Sequence, residues 1–346
     1  APALQALFAR MRDEGVTHVV MEVSSHALML GRVGGTDFDV AGFTNLSQDH
    51  LDFHPTMEDY FEAKALFFDP ASPVAAAKSV VCVDDEWGER MAGRAAHPVT
   101  VGTHGQEGLD VQAHQVSVEE SGAQHIALTH DGHDYEFRLP MPGAFNVANA
   151  ALAVGMATTC GVDAEPFIQG LANAAVPGRM ERIDAGQDFV AVVDYAHKPA
   201  AIAAVLQTLR KQVDGRVGIV VGAGGDRDSS KRAIMGAEAA RGADFVVVAD
   251  DNPRTEDPAT IRAAVRKGAE EAAGADAEIR ENDSRAGAID ELVAWAQPGD
   301  AIVVVGKGHE VGQIVGTTTH HFDDREEMRR ALAEHGYAAG AEKEHA

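Results

Sequence analysis

Short apolar runs alternate with helical stretches throughout the second half of the chain. The runs are rich in Val and Ile, and a length of about five residues is typical of buried strands. The apolar runs fall at residues 189–193, 217–221, 245–249 and 301–305, and the helical stretches lie near 199–211, 229–241, 258–273 and 284–296. Strands and helices that alternate in this way predict a parallel, doubly wound sheet of Rossmann-like topology. A shorter run at 277–280 predicts one more strand.

The first half starts with a similar α/β pattern and then changes. Its predicted helices lie at 4–14, 87–95 and 148–159, and its predicted strands lie at 16–22, 40–43, 80–83 and 99–101. Between 109 and 139, polar and apolar residues alternate around turn signals at Ser121-Gly122 and Asp131-Gly132, which predicts an appended antiparallel β-meander.

Pro and Gly interrupt the helical pattern at 175–178, so we place a domain border there. The predicted domains are 1–176 and 177–346. A chain of 346 residues with 45% hydrophobic content is also long enough for two ordinary cores. The fold class is therefore α/β, with the β-meander on the first domain and a mainly parallel sheet in the second.

Composition excludes several classes of protein. No run of about 18 apolar residues is present, and the first residues lack the pattern of a signal peptide, so we expect a cytoplasmic protein with no membrane partner. The formal net charge of −25 argues against a nucleic-acid partner. Cys82 and Cys160 have no Cys-x-x-Cys spacing and lie in apolar stretches, which predicts reduced core thiols.

Polar and charged residues follow each of the four main apolar runs of the second half. These segments are Asp194-Tyr-Ala-His-Lys-Pro199, Gly222-Ala-Gly-Gly-Asp-Arg-Asp228, Asp250-Asp-Asn-Pro-Arg254 and Gly306-Lys-Gly-His-Glu310. The carboxyl ends of parallel strands meet at one edge of a sheet, which is where α/β proteins bind ligands. Arg227 and Arg254 have the planar donors that suit a carboxylate. The alternative is that they form surface ion pairs with Asp226 or Glu256.

Candidate ligands also follow the predicted strands of the first half. Glu22 ends one such strand and His50 follows another, so the two could share a divalent ion with phosphate oxygens, although such histidines are more often structural. Pro55-Thr56 starts a short amphipathic helix that should carry Lys64. Asn149, at the start of the helix near 148–159, could cap that helix or contact a base.

Nine segments together resemble the Mur ligase family of peptidoglycan synthesis, and within it the branch that adds diaminopimelate. They are Glu22-Val-Ser-Ser-His26, Asn45-Leu-Ser-Gln-Asp-His-Leu-Asp52, Tyr60-Phe-Glu-Ala-Lys64, Gly143-Ala-Phe-Asn-Val-Ala-Asn149, Gly178-Arg-Met-Glu181, Asp194-Tyr-Ala-His-Lys-Pro199, Gly224-Gly-Asp-Arg-Asp228, Asp251-Asn-Pro-Arg254 and Gly306-Lys-Gly-His-Glu310. The resemblance implies an ATP-dependent ligase with a central ATPase-type domain. It would phosphorylate the D-glutamate carboxylate of UDP-N-acetylmuramoyl-L-Ala-D-Glu, and an amine of meso-diaminopimelate would then attack the acyl phosphate.

The resemblance also implies roles for individual residues. They are Glu22 and His50 as ligands of Mg²⁺; Lys64 as a carbamylated lysine and further ligand; Asn149, Asp194, Arg179 and His197 as ATP contacts; Ser24 and Arg32 as contacts of the UDP-linked dipeptide; and Arg227, Asn252, Arg254, Gly306 and Glu310 as contacts of diaminopimelate. A monomer is expected.

The chain departs from the family pattern in a few places. Leu30 stands where a glutamine is usual, Pro55 follows His54 where glycine is common, and Lys198 replaces a usual threonine. The uridine-binding domain and the Gly-Thr-Asn-Gly-Lys-Thr phosphate loop are missing, so we expect a piece of a longer protein that is inactive by itself. The alternatives are a lysine-adding Mur ligase, a ligase like folylpolyglutamate synthetase, and a non-catalytic binding module.

Overall fold

A computed structural model describes residues 2–119, 121–272 and 277–337 of the chain. The described residues divide into two compact units. The first unit takes its residues from 1–46, 53–140 and 144–174, and the second takes them from 47–52, 141–143 and 175–346. The second unit thus also includes two short segments that lie within the predicted first domain.

The first unit combines six helices with a six-stranded sheet. The helices are α1 (Pro2–Asp13), α2 (Ser25–Met29), α3 (Met57–Ala65), α4 (Glu86–Arg94), α5 (Ala144–Thr159) and α6 (Ala164–Leu171). The strands are β1 (Val40–Phe43), β2 (Lys78–Cys82), β3 (Val99–Gly102), β4 (Val111–Val118), β5 (Gln124–His130) and β6 (His133–Leu139). They follow sequence order across the sheet, with β1 to β4 parallel and β4 to β6 antiparallel, which confirms the predicted meander.

Helix α3 buries an aromatic face against the core of the first unit. Thr56 caps the helix, because its side chain accepts a hydrogen bond from the Asp59 amide at 3.1 Å. Tyr60 and Phe61 are 3% and 1% exposed. Lys64 lies one turn further along and is half-buried, so it projects from a helix as the sequence predicts.

The strand predicted at 16–22 is wrong. The structure has irregular chain from residue 16 to the start of α2, and Val16, Val19 and Val20 are all exposed. A β-branched run becomes a strand only when a neighbour takes up its backbone hydrogen bonds. Within the part of the chain that the structure describes, β1 pairs with β2 and no strand pairs with 16–22.

The two cysteines differ in their surroundings. Cys82 is 4% exposed at the end of β2, and burial raises the pKa of its thiol to about 12. Cys160 is exposed just after α5, so its prediction as a core thiol is wrong. The apolar residues before it face inward from the helix, whereas the helix end itself reaches the surface.

The second unit is built on a mainly parallel sheet. The strands of that sheet are β7 (Glu181–Arg182), β8 (Val190–Asp194), β9 (Val217–Val221), β10 (Phe245–Ala249), β11 (Glu278–Asn282) and β12 (Ala301–Val305). Strands β13 (Gly312–Val315) and β14 (Thr318–His321) form a separate antiparallel pair. Its helices are α7 (Pro199–Arg210), α8 (Lys231–Gly242), α9 (Pro258–Ala272), α10 (Arg285–Trp295) and α11 (Asp324–Glu334). The sheet order is β11-β10-β9-β12-β8-β7, and every pair except β7–β8 is parallel. The predicted Rossmann-like arrangement is confirmed.

Strands β9, β10 and β12 are buried on both faces. Every residue of the three strands is buried, which explains why the sequence shows continuous apolar runs instead of alternation. Such strands leave no place for a polar side chain inside the sheet. Polar groups are therefore concentrated at the strand ends.

An ion pair is completely buried beside these strand ends. The Arg285 guanidinium donates from Nε and Nη2 to the two carboxylate oxygens of Asp324, each at 2.7 Å, and neither side chain is exposed. Nη2 also donates to the carbonyl oxygen of Val305, the last residue of β12, at 2.9 Å. The pair ties the starts of α10 and α11 to the end of the central strand.

Among the described residues, no helix combines the length and the hydrophobicity that a membrane span requires.

Breaking the buried ion pair should destabilise the second unit strongly. Arg285→Met leaves the Asp324 carboxylate buried without its partner, and we expect a loss of ~3–5 kcal/mol in the free energy of unfolding. Arg330→Met, which removes the solvent-accessible pairs of Arg330 with Glu327 and Glu334 on α11, is the control and should have a much smaller effect. Urea denaturation followed by circular dichroism measures both. Equal stability of the two variants would contradict this account.

Candidate active site

A cavity of about 270 Å³ opens at the carboxyl ends of four neighbouring strands of the second unit. Strands β10, β9, β12 and β8 are adjacent and parallel, so the loops after them meet at one edge. The cavity is lined by Asp49, His50, Asp52, Tyr195, His197, Gly222, Ala223, Gly224, Arg227, Asp228, Lys231, Met235, Asp251, Asn252, Arg254, Gly306 and Glu310. The five residues predicted to contact diaminopimelate are all among them.

Asn252 and Glu310 both contact a buried lysine, Lys307. Lys307 is 0% exposed, and its Nζ donates to Asn252 Oδ1 at 3.0 Å. The Asn252 Nδ2 in turn donates to Glu310 Oε2 at 3.1 Å, and Lys307 Nζ lies 3.7 Å from the same oxygen. Lys307 Nζ also lies 3.5 Å from Asp251 Oδ1. Sequence reasoning missed Lys307, although a lysine between two glycines directly after a buried strand was a usable signal.

Arg254 is held by its backbone as well as its side chain. Its φ is +52°, a left-handed conformation that non-glycine residues seldom adopt. The Arg254 amide donates to the carbonyl oxygen of Ile314 at 3.0 Å, and the Gly316 amide donates to the Arg254 carbonyl oxygen at 2.6 Å. The guanidinium Nη1 donates to the carbonyl oxygen of Gly225 at 2.7 Å. The loop after β10 and the loop after β9 are therefore tied together at this arginine.

The alternative of surface ion pairs for the two arginines is wrong. The Glu256 carboxylate accepts two hydrogen bonds from Arg232, at 2.8 and 2.9 Å. Both oxygens of Asp226 accept from the Thr255 hydroxyl at 2.9 Å. The acids expected to neutralise Arg227 and Arg254 are thus engaged elsewhere, and both arginines line the cavity.

Three basic side chains surround Asp49, which also lines the cavity. Its buried carboxylate accepts from Lys231 Nζ at 2.9 Å and lies 3.2 Å from Lys198 Nζ and 3.6 Å from His197 Nε2. Burial alone raises the pKa of Asp49, but His197, Lys198 and Lys231 together hold it well below its ordinary range. The next residue, His50, has a φ of +58°. Asp49 and Lys231 were also missed, because no sequence pattern indicates that segment 47–52 belongs to the second unit.

Asp194, predicted to contact ATP, organises the loop after β8. Its two carboxylate oxygens accept from the amides of Met180 and Ala196, each at 2.7 Å. Burial raises the pKa of Asp194, and these amide bonds oppose that shift. The Arg179 guanidinium lies over the Tyr195 ring, 4.4 Å from its centroid. Arg179, Asp194 and His197 therefore lie around the same turn, and His197 Nδ1 donates to the Tyr195 carbonyl oxygen at 2.9 Å.

The predicted site residues of the first unit are more dispersed. Glu22 and Arg32 are exposed, and the Ser24 hydroxyl caps α2 by accepting from the Ala27 amide at 3.1 Å. Lys64 Nζ lies 5.2 Å from the centroid of the Tyr60 ring. Among the described residues, no group of three or more His, Cys, Asp or Glu residues could hold a metal ion. The magnesium site and the carbamylated lysine stay predictions.

The first unit has a cavity of its own, also of about 270 Å³. It is lined by Thr44, Asn45, Cys82, Asp84, Asp85, Thr103, His104, Ala144, Phe145, Ala148 and Asn149. The Asn149 Nδ2 donates to Asn146 Oδ1 at 3.3 Å, one turn earlier on α5. Asn149 thus lines this cavity, and its role as an ATP contact stays a prediction.

Two domain families match the chain in succession. The Mur ligase middle domain matches residues 1–157, and the Mur ligase glutamate ligase domain matches residues 178–308. A solved structure of UDP-N-acetylmuramoyl-L-alanyl-D-glutamate--2,6-diaminopimelate ligase is 34% identical with a TM-score of 0.58, and the match covers 96% of this chain and 68% of that chain. The chain belongs to the Mur ligase family.

Other relatives show how far the likeness extends. A ligase of the same name from Corynebacterium glutamicum is 65% identical over 338 aligned residues. The match covers 96% of this Mur ligase chain and 65% of the relative. This chain therefore spans slightly less than two thirds of that relative. The Mycobacterium tuberculosis folylpolyglutamate synthase, in a structure with ADP and AMPPCP, is 24% identical with a TM-score of 0.58 and covers 78% of this chain and 61% of that chain. That likeness shows a shared fold alone.

The contact between the loops after β9 and β10 requires a glycine at position 225. The Gly225 amide donates to the carbonyl oxygen of Asn252 at 2.9 Å, and a Cβ at this position would meet the carbonyl oxygen of Pro253. We expect Gly225→Ala to force the loops apart and lower the free energy of unfolding by ~1–3 kcal/mol.

Gly93→Ala is the matched control, because a Cβ at Gly93 on α4 would meet nothing within 4 Å. It should be neutral or stabilising by up to ~1 kcal/mol, as expected for alanine in a helix. Thermal unfolding of both variants beside the parent makes the comparison. A Gly225→Ala protein as stable as the Gly93→Ala protein would show that the loops are not in tight contact.

Proposed function

We propose that the full-length protein is an ATP-dependent ligase of peptidoglycan synthesis. It joins an amine of meso-diaminopimelate to the D-glutamate carboxylate of UDP-N-acetylmuramoyl-L-alanyl-D-glutamate through an acyl phosphate. ATP supplies the phosphoryl group, ADP and phosphate leave, and the attacking amine loses a proton as the amide forms. The relatives named UDP-N-acetylmuramoyl-L-alanyl-D-glutamate--2,6-diaminopimelate ligase support the proposal. We expect the protein to act in the cytoplasm.

One observation supports the amino-acid substrate in particular. Arg227, Asn252, Arg254, Gly306 and Glu310 come from three loops that follow adjacent parallel strands, and all five line one cavity. Diaminopimelate carries a carboxylate and an ammonium at each end. Two arginines with one glutamate provide both signs of charge for such a ligand.

Arg254 is the residue that suits the distal carboxylate. Its backbone is fixed by the bonds to Ile314 and Gly316, and its Nη1 is fixed by the carbonyl oxygen of Gly225. A guanidinium held this way loses little side-chain entropy when it binds a carboxylate. Lysine has no distal carboxylate, so it would leave this cation without its ligand.

Four residues are proposed to contact the nucleotide. In this proposal Asp194 keeps the turn of Arg179 and His197 in place through its bonds to Met180 and Ala196, and the two basic side chains bind phosphate oxygens. Asn149 would contact the base from the wall of its own cavity, and Ser24 and Arg32 would contact the UDP-linked dipeptide.

Magnesium would be held by Glu22 and His50. Magnesium commonly takes one or two protein carboxylates and completes its shell with phosphate oxygens and water, so a small set of protein ligands fits it. When bound, it neutralises charge on the phosphates. A carbamate on Lys64 would add a carboxylate on a side chain that α3 already positions.

Selectivity between two amino acids tests the substrate assignment. Isothermal titration of this chain should give meso-diaminopimelate an affinity at least ~10-fold higher than that of L-lysine, because lysine leaves the partly buried Arg254 guanidinium without a carboxylate ligand. Arg254→Ala should remove most of that preference, and Arg254→Lys should restore it only in part, since an ammonium cannot form the paired hydrogen bonds.

Arg266→Ala, on the exposed side of α9, is the control and should bind like the parent. A parent that prefers lysine, or an Arg254→Ala protein with the preference unchanged, would contradict the assignment of diaminopimelate.

The role of Lys64 is tested by chemical rescue in the full-length protein. Lys64→Ala should abolish ATP-dependent ligation, measured as phosphate release, and acetate or another short carboxylic acid should restore part of it by replacing the carbamate. Lys267→Ala removes an exposed lysine on α9 and should leave activity intact. Full activity of Lys64→Ala would rule out the carbamate, and loss without rescue would favour a structural role against Tyr60.

A further inference from the structure

Lys307 is a fully buried lysine that contacts three residues of the cavity wall in the second unit. It is 0% exposed, and it follows β12 by two residues. Its Nζ has three oxygens around it: Asn252 Oδ1 at 3.0 Å, Asp251 Oδ1 at 3.5 Å and Glu310 Oε2 at 3.7 Å. All three of these partners line the cavity, whereas Lys307 itself does not. A ligand in the cavity would therefore contact the partners and not the lysine.

The hydrogen bonds assign the orientation of the Asn252 amide. Oδ1 accepts from two donors, the Lys307 ammonium at 3.0 Å and the Ile314 backbone amide at 2.9 Å. Neither donor could face an NH2 group, so the oxygen must point to them. The NH2 group then points to Glu310 Oε2, 3.1 Å away. Towards a ligand in the cavity, Asn252 can only donate.

We propose that Lys307 is a positioning residue that makes the cavity selective for a carboxylate over an ammonium at the Asn252 position. This inference rests on the proposed function, since it concerns the distal group of the amino acid that the ligase adds. Lys307 fixes the Asn252 oxygen away from the ligand and leaves the second N–H of Nδ2 for a ligand carboxylate.

Loss of Lys307 has a definite consequence for selectivity. Without the ammonium, the amide of Asn252 keeps only the Ile314 bond to its oxygen and can turn that oxygen to the ligand. This change weakens the binding of a carboxylate and strengthens the binding of an ammonium.

The test measures the ratio of two affinities in four proteins. Isothermal titration with meso-diaminopimelate and with L-lysine is done on the parent, Lys307→Met, Asn252→Ala and the double variant. We expect Lys307→Met to reduce the preference for diaminopimelate by about tenfold, an effect equivalent to one charge-assisted hydrogen bond. A general loss of structure would lower the fraction of competent protein, read from the stoichiometry, and would not change the ratio of the affinities.

The double variant tests whether Lys307 acts through Asn252. If it does, adding Lys307→Met to Asn252→Ala changes the preference by less than about twofold, because the residue it positions is already gone. A full tenfold additive change in the double variant would overturn the inference, and so would a Lys307→Met protein with the parental preference.

Asn252→Asp gives a second test if Lys307→Met does not fold. It keeps the shape of the side chain and the Lys307 contact but replaces the donating NH2 with an acceptor, so the preference for diaminopimelate should be lost. A retained preference would overturn the inference. A parent that shows no preference would overturn the proposed substrate and this inference together, whereas a selective parent with unaffected variants would overturn this inference alone.

Discussion

The arrangement of the second unit depends on one constraint: strands β9, β10 and β12 are buried on both faces, so their polar neighbours must lie beyond the strand ends. Those ends still lie inside the protein, where an unpaired charge is costly. Arg285 is matched by Asp324, and Lys307 is matched by Asp251, Asn252 and Glu310. The floor of the cavity is thus a set of charges whose partners are fixed before any ligand arrives.

The paired charges and the backbone around them fix the orientation of the donors that line the cavity. Arg254 and Asn252 are neighbours on one loop, yet each is oriented by a different element: Gly225 accepts from the arginine side chain, and Lys307 and Ile314 bind the asparagine oxygen. Preorganised donors of this kind need little reorganisation when a carboxylate binds. The left-handed backbone of Arg254 adds strain that the bonds to β13 and the following turn compensate.

The sequence predicted the framework of the second unit well and its polar details less well. Runs of Val and Ile identify β9, β10 and β12, and the rule that ligands bind at the ends of parallel strands brought Arg227, Arg254 and Glu310 together. Lys307 and Asp49 could not be found this way, because burial of a charged side chain depends on partners distant in sequence. The error at 16–22 has the same origin, since β-branched residues predict a strand only where a neighbour exists to pair with it.

The distribution of charge reconciles the acidity of the chain with the amino-acid ligand proposed for the cavity. The net charge of −25 repels anions at long range, but salt screens that repulsion beyond about 10 Å at ordinary ionic strength. Inside the cavity, Arg227, Arg254 and Lys231 act at short range, where screening is weak. Asp49 pairs with Lys231 on one wall, while Glu310 and Asp251 on another wall pair with the buried Lys307. A ligand that carries both signs of charge matches this alternation of basic and acidic side chains.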